Sequence, residues 1–399
     1  MPFIPKLQQT KNFFELYQYI CGKSEVPTIY HFWASVALLA ATMEDRVWVE
    51  KFRGEKLYAN LYIMLIGEGG LGKGEAISQA NRLIDSSAQI PKFRGSLTQA
   101  SLIDQLGKVE KDEWGRQTIP NPRLWLIMDE LKNNLGTNVA LVEAFIALMT
   151  ELYTATNYTI NTSTRKHGKV DIANAVVNWL AGTTEGDLRD ILTRKLIDSG
   201  FTARVCFVFG EYDFSKRYPK ITYPQDYEEV YEHLRLRLWM LRATPPTQVE
   251  MTPEAEAEQE NWYMSRPPPE EKMFYSMWRR QHDMLLKFAL LCCVADGGAM
   301  VIKATHIRRA KAMINSTAVF TGKLFDMAHE TWDTKPSNEV AEFIKERKIL
   351  DRSSVTKYFR TKRGMAAKKV QEAVAQLVQE NLVKYSRTPS GAIIYEWIG

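Results

Sequence analysis

Apolar residues along the chain fall into short unbroken runs and into helical stripes. LYIMLI (Leu61 to Ile66), RLWLIMDEL (Arg123 to Leu131), VVNWLAGTT (Val176 to Thr184) and the apolar stretch starting at Arg204 within LIDSGFTARVCFVFGE are rich in β-formers, and each predicts a strand. AISQANRLI (Ala76 to Ile84) and YSMWRRQHDMLLKFALLCCVAD (Tyr275 to Asp296) have helical spacing instead. FWASVALLAATM (Phe32 to Met43) is too short to span a bilayer and predicts a buried helix. Residues 1–56 read as mostly helical and residues 216–332 as a helical region. The runs NYTINTST (Asn157 to Thr164) and KVDIANAVVNWLAGTT (Lys169 to Thr184), joined by RKHGK, predict a hairpin near 157–175 with cations at its tip. Strands alternating with helices over 57–215 give an α/β fold class.

The pattern changes after AHETWDTKPSN, a polar stretch containing Pro336, where a domain boundary is expected near 332–337. SNEVAEFIKERKI, SSVTKYFRTK and AKKVQEAVAQLVQENL predict three helices, the second opening on a serine cap. VKYSRT, a PSG turn and AIIYEWI predict a β-hairpin. Three helices and a terminal hairpin over 337–399 describe a winged helix.

Composition adds bounds. The 399 residues suffice for two or three domains, and 45% hydrophobic with 25% charged residues is ordinary for a soluble chain. Four cysteines show no metal spacing and suggest no disulfide framework, which fits a reducing cytoplasm. The N-terminus lacks the apolar core of a signal peptide, so no membrane partner is expected. Net charge is +5, and from Ser337 onward 12 Lys and Arg face 7 Asp and Glu, so the excess sits in the tail. A basic module on a neutral body points to a polyanion such as DNA.

The chemistry starts at GEGGLGKGEA (Gly67 to Ala76), which follows one predicted strand and opens a predicted helix. This is the phosphate-binding frame G-x-x-x-x-G-K-[ST] in every position but one. Backbone amides at Gly67, Gly69, Gly70 and Gly72 would surround phosphate oxygens, and Lys73 would reach the outer phosphates of ATP. Gly74 stands where a hydroxyl residue normally holds Mg²⁺. Either the metal is held by other groups and water, or nucleotide binds without efficient turnover. Asp129 and Glu130, ending an apolar strand, fit the metal-binding acid and the water-orienting acid of an AAA+ ATPase. Thr183 or Thr184 can hydrogen-bond a γ-phosphate, Arg204 can act as an arginine finger on a neighbouring subunit, and Arg279 or Arg280 can sense nucleotide from a lid. Arg165, Lys166, His167 and Lys169 at the hairpin are candidate DNA contacts that carry little sequence information. In the tail, Lys368 and Lys369 on the third helix, which would lie in a major groove, and Arg387 in the wing, which would meet phosphates, are candidate DNA contacts too.

The order of glycine loop, acid-ended strand, basic hairpin, threonine-ended strand and LIDSGFTARVCFVF resembles the AAA+ core of minichromosome maintenance (MCM) helicases. YANLYIMLIGEGGLGK (Tyr58 to Lys73) is also similar to a pattern in phage and mobile-element ATPases. The resemblance covers roughly residues 25–320 and implies a hexameric, ATP-driven motor on DNA. It places nucleotide chemistry on Lys73, Asp129, Glu130, Thr183 and Arg204, with the hairpin lysines Lys166 and Lys169 on DNA. Two departures stand out. Gly74 lacks the hydroxyl, and Arg204 lacks the Ser and Phe-Asp neighbours of the MCM finger.

The sequence therefore predicts a helical N-terminal segment (1–56), an AAA+ core (57–215), a helical lid (216–332) and a winged helix (337–399). The function it points to is an ATP-dependent DNA translocase, a hexameric replicative helicase of a phage or mobile element that works with other replication proteins in the cytoplasm. A helicase loader or origin-binding ATPase is one alternative. A DNA-binding assembly protein with a structural nucleotide site is another.

Overall fold

The computed structural model describes residues 12–88, 90–94, 97–107, 122–136, 138–154, 156, 159–164, 168–191, 200–218, 220–270, 274–379 and 381–399. The chain is mixed α/β and divides into two compact units between Thr321 and Gly322. No helix among the described residues is long and apolar enough to cross a membrane.

At the centre of the first unit five strands form one parallel sheet. They are β1 (Tyr62–Ile66), β2 (Lys92–Arg94), β3 (Arg123–Met128), β4 (Val176–Thr183) and β5 (Val205–Phe209), in the order β2-β3-β4-β1-β5. Every residue of β1, β4 and β5 is buried, as continuous apolar runs require when helices cover both faces of a sheet. Ile63 and Leu65 of β1 join the core formed with the helices Thr28–Met43 and Lys73–Ser87. Tyr62 points the other way, donates to the Met149 carbonyl at 2.9 Å and packs on Trp179, which meets Phe145 of the helix Val139–Leu152. Because β2 to β4 lie on one side of β1 and β5 on the other, strand order reverses at β1. The loop after β1 therefore opens on the crevice where α/β sheets place ligands.

The helix Thr28–Met43 is buried nearly throughout, as its apolar run predicts. It shares a single core with Phe13–Ile20, Tyr227–Ala243 and Tyr275–Asp296, Trp33 meeting Phe288 edge to face at 5.6 Å. The N-terminal helices and the region predicted as a lid are thus welded together by apolar packing. The expectation of helix up to residue 56 fails at its end. Val47–Phe52 pairs with Glu55–Tyr58 as a hairpin, because Val47 and Val49 alternate inward and Gly54 takes a left-handed turn at φ 85°.

The hairpin near 157–175 consists of Thr159–Thr164 and Gly168–Ala173, closing at Thr164 opposite Gly168. Its second strand does not run on into β4, because Asn174 has a positive φ of 50° that redirects the chain. Arg165, Lys166 and His167 lie outside the described residues; Lys169 is in the strand, opposite Ser163, and its side chain is outside them too.

In the second unit, Ile349–Asp351, Val383–Arg387 and Ile393–Trp397 form an antiparallel sheet with the last strand in the middle. The helices Arg352–Arg363 and Ala367–Gln379 pack on it through Val355, Phe359, Val370, Ala373, Val374 and Leu377. The cap of the first of these is Asp351 rather than serine. Its carboxylate accepts from the Ser354 amide and from both the Ser353 and Ser354 hydroxyls, which hold its pKa well below the usual carboxylate range. The helix Ala304–Arg347 runs through 332–337, where the sequence suggested a link, and the division between units falls earlier. A polar stretch reads like a loop in sequence even when its residues propagate a helix.

Candidate functional site

The glycine loop Gly67–Gly72 leaves the end of β1 and enters the helix Lys73–Ser87. Its shape is forced from below by Tyr30, whose hydroxyl donates to the Ile66 carbonyl at 2.6 Å. A Cβ on Gly67 would lie 2.4 Å from that hydroxyl oxygen, and one on Gly210, at the end of β5, would lie 2.4 Å from the Tyr30 ring. Gly70 and Gly72 have φ of 81° and 80°, where larger residues are strained. Gly72 is the residue before the helix, and Val26 fills the space its side chain would need. Gly69 and Gly74 are different: nothing lies within 4 Å of a Cβ on either. At the tip, the Tyr212 hydroxyl donates to the Gly69 carbonyl at 2.7 Å.

Lys73 is the first residue of that helix, so its charge sits beside the unpaired amides of the helix N-terminus. Its ammonium donates to the Gly67 and Glu68 carbonyls at 2.8 and 2.7 Å. Partial burial lowers its pKa, and Glu130 and Asp187 oppose that shift.

The ends of β3 and β4 complete the same rim. Gly182 lets them come together, since a Cβ there would lie 2.6 Å from the Asp129 carbonyl oxygen. The Gly67 amide donates to the Thr183 carbonyl at 3.3 Å, tying the glycine loop to β4. Of the two threonines, Thr184 is occupied as a cap: its hydroxyl accepts from the Asp187 amide at 3.1 Å and donates to the Asp187 carboxylate at 2.8 Å. Thr183 is buried, and among the described residues its hydroxyl makes only a long 3.4 Å contact with the Thr184 carbonyl. Glu130 accepts through its carboxylate from the Asn133 side chain and through its carbonyl from Asn134. Lys132 pairs with Asp187 at 2.9 Å and Asp190 at 3.2 Å, and the Lys132 hydrogen bond lowers the Asp187 pKa.

One partner at this rim has no precedent in the sequence reading. Arg94, the last residue of β2, sets Nε 3.1 Å from Oδ2 of Asp129, with Nη2 on the same oxygen. The other oxygen, Oδ1, is buried and has no hydrogen-bond partner. This bears directly on Mg²⁺. A tightly held Mg²⁺ needs near-octahedral oxygen donors. Gly74 offers none, one Asp129 oxygen is held by a guanidinium, and the remaining one lies next to that positive charge. With Arg94 in place the protein offers Mg²⁺ at most one Asp129 oxygen, set beside a guanidinium, which is a poor donor set for the metal. No group of three or more His, Cys, Asp or Glu able to hold a metal occurs among the described residues.

Other predicted residues lie elsewhere. Arg204 ends a 3-10 turn just before β5, is 8% exposed, and donates through Nη1 to the Gly200 carbonyl at 2.7 Å. Since β5 runs parallel to β1, Arg204 is at the opposite edge of the sheet from the glycine loop. Arg280 is at that edge as well, within electrostatic reach of Tyr153 and Lys287, which gather around Asn60 before β1. Five residues of β1, about 16 Å at ~3.3 Å each, separate that edge from Lys73. Arg280 is therefore corrected as a ligand of its own chain's loop.

In the second unit Lys368 and Lys369 are exposed at the start of Ala367–Gln379, Lys368 lying 3.9 Å from Glu372, and Arg387 is exposed at the end of Val383–Arg387. A richer set sits on Arg352–Arg363, which carries Arg352, Lys357, Arg360, Lys362 and Arg363 and no acid. Arg352, Lys357 and Arg360 line a groove of about 610 Å³ with Gln371 and Ile393. That charge is visible in the sequence as the five cations of RSSVTKYFRTKR. No protein-family model matches this chain, and no curated protein matches it.

Proposed function

We propose that the chain is a phosphate-loop ATPase acting on DNA, an ATP-dependent translocase of the replicative-helicase type. In this reading the first unit is an AAA+ core with a helical lid, and the second is a winged helix. One observation carries it. The glycine loop follows β1, the acid pair follows β3 and Thr183 ends β4, so three separate sequence signals open on one edge of one sheet. A triphosphate placed there would meet backbone amides at a helix N-terminus and the Lys73 ammonium. Bound ATP would supply the cleavable bond, Glu130 would orient the attacking water, and the Thr183 hydroxyl would read the outer phosphate. Arg204 and Arg280, at the far edge, would serve only a neighbouring subunit, which is a reason to expect a ring, hexameric by the MCM resemblance. Arg204 would first have to leave the Gly200 carbonyl.

The DNA side of the proposal rests on charge. Strand, two helices and a two-stranded wing follow the helix that ends at Arg347, and the cations of Arg352–Arg363 join Lys368, Lys369 and Arg387 as phosphate contacts. The hairpin lysines Lys166 and Lys169 would grip a single strand in the ring. Other replication proteins and a cytoplasmic setting go with that role.

The deciding experiment is steady-state ATP hydrolysis with and without single-stranded DNA, with Glu130→Gln as the blank. Turnover that DNA stimulates and the variant loses is expected. Tight nucleotide binding with no turnover on any DNA would sink the motor. That outcome would favour a second reading, supported by Gly74 and the Arg94–Asp129 pair, in which nucleotide serves as an assembly ligand and shifts the oligomer in sedimentation.

A further inference from the structure

We infer that Arg94 supplies, from within the chain, the positive charge that a divalent metal would otherwise bring to the phosphates, so that nucleoside triphosphate binds without metal. The inference rests on the reading of the glycine loop as a nucleotide site. Three independent features of the rim converge on it.

The first is the missing donor. Gly74 is not glycine for want of space, because nothing lies within 4 Å of a Cβ there. A serine would fit, so sterics do not explain the loss of the hydroxyl. The second is the guanidinium itself. β2 is the edge strand, three places from β1, yet its last residue reaches back to the carboxylate after β3. Arg94 pairs in register with Ile127, and Asp129 stands two residues further along, so both side chains belong to the strand ends that face the glycine loop. Nε and Nη2 both face Oδ2, which leaves Nη1 for a second acceptor; a planar guanidinium suits bridging a carboxylate and a phosphate. The third is how the described cations beside the glycine loop are committed. Lys132 pairs with Asp187 and Asp190, whereas Lys73 donates to the Gly67 and Glu68 carbonyls and Arg94 keeps Nη1 for a phosphate oxygen.

A plain edge ion pair is the competing account. Arg94 and Asp129 side chains are 54% and 33% exposed, and such pairs contribute little to stability. The same exposure makes the pair easy for a phosphate to enter and makes Arg94 replaceable without loss of the fold.

The test is calorimetric titration of the full chain with a β,γ-imido ATP analogue, in EDTA and in Mg²⁺. Wild type should bind with affinities within about threefold of each other in the two buffers. Arg94→Ala should lose roughly tenfold or more in EDTA, the scale of one charge-assisted hydrogen bond, and recover in Mg²⁺. Arg94→Lys should fall between them. Asp129→Asn, which frees Arg94, should show no loss in EDTA. Thermal melts of each variant confirm folding. Binding that needs Mg²⁺ in the wild type, or an Arg94→Ala affinity in EDTA equal to wild type, would overturn the inference and leave the nucleotide reading intact. Absence of binding in both buffers would overturn the two together.

Discussion

Where β1, β3 and β4 end, charged side chains are half exposed and loosely paired; where β1 begins, Lys287 is 1% exposed and held by two hydrogen bonds and an aromatic ring. Its ammonium donates to the Asn60 carbonyl and to Asn60 Oδ1, both at 2.8 Å, and faces the Tyr153 ring at 3.9 Å. Asn60 in turn donates to the Tyr153 carbonyl at 3.1 Å. A buried, hydrogen-bonded amine fixes one arrangement, whereas half-exposed pairs can be exchanged for a ligand. The same sheet thus has an end built to hold still and an end built to trade partners. Lys287 comes from the helix Tyr275–Asp296, so the rigid end also joins the region proposed as the lid to the strand that carries the glycine loop.

The largest effect should follow from breaking the rigid end. Lys287→Ala leaves two Asn60 oxygens without donors and a cavity where the aliphatic stem was, a loss of about 3 kcal/mol or more. Equilibrium unfolding in urea measures it; a loss under about 1 kcal/mol would show that water rescues Asn60. Burial also lowers the Lys287 pKa to about 7, well under its unfolded value. Between pH 7 and 9 the unfolded chain holds a proton that the native lysine has released, so stability should rise with pH. Below pH 7 both states are charged and the burial penalty is paid in full. Above pH 9 the buried thiols Cys206, Cys292 and Cys293, with pKa values pushed up, oppose the rise. Lys287→Met should flatten the slope from pH 7 to 9, and an unchanged slope would assign it to other groups.

Next in size are the two kinds of glycine in the loop. Gly67→Ala drives a methyl group into the Tyr30 hydroxyl at 2.4 Å and Leu71 at 2.6 Å, so the loop must move, at a cost of about 2 kcal/mol. Tyr30→Phe in the same chain should recover part of that loss, since it removes the nearest atom. A double-mutant cycle on unfolding free energies checks the coupling, and simple additivity would mean that the Tyr30 strut does not set the loop.

How much of this was legible in the sequence divides along physical lines. Nearly continuous apolar runs identify β1, β3, β4 and β5 because parallel strands buried on both faces carry few polar residues. The glycine loop was legible because its glycines are spaced by backbone geometry. β2 was not, because Lys92–Arg94 is three residues long and carries no period, and with it went Arg94. Lys287 was lost inside a helical run of apolar residues, where a single cation reads as a surface position. Its partner Asn60 sits 227 residues away, and nothing local announces the pair. Asp351 is hidden as a cap in the sequence because two serines, themselves good caps, follow it; in the structure they donate to it.

Caps give the next, smaller comparison. Thr184→Ala removes the acceptor for the Asp187 amide at the rim, and Asp351→Ala removes the acceptor for the Ser354 amide in the second unit. Each should cost about 1 kcal/mol in its own unit. Thr184→Ala should also raise the Asp187 pKa, because the Thr184 hydroxyl is one of the groups that hold it down. Carboxylate titration by NMR would detect that; no change would mean Lys132 alone sets it.

The smallest stability effect, and the most informative for chemistry, should come from Gly74→Ser. Nothing within 4 Å of the new Cβ resists it, and serine in a helix's first turn is well tolerated, so unfolding free energy should stay within about 0.5 kcal/mol of wild type. The contrast with Gly67→Ala, seven residues earlier, would separate a glycine kept by geometry from one that geometry does not require. Because the serine restores only one oxygen, Arg94 would still hold Asp129 Oδ2, and Gly74→Ser alone should leave nucleotide affinity insensitive to Mg²⁺. Gly74→Ser combined with Arg94→Ala should bind better in Mg²⁺ than in EDTA, by roughly tenfold or more. If Gly74→Ser alone confers that dependence, the hydroxyl is the whole deficit and the guanidinium is a bystander.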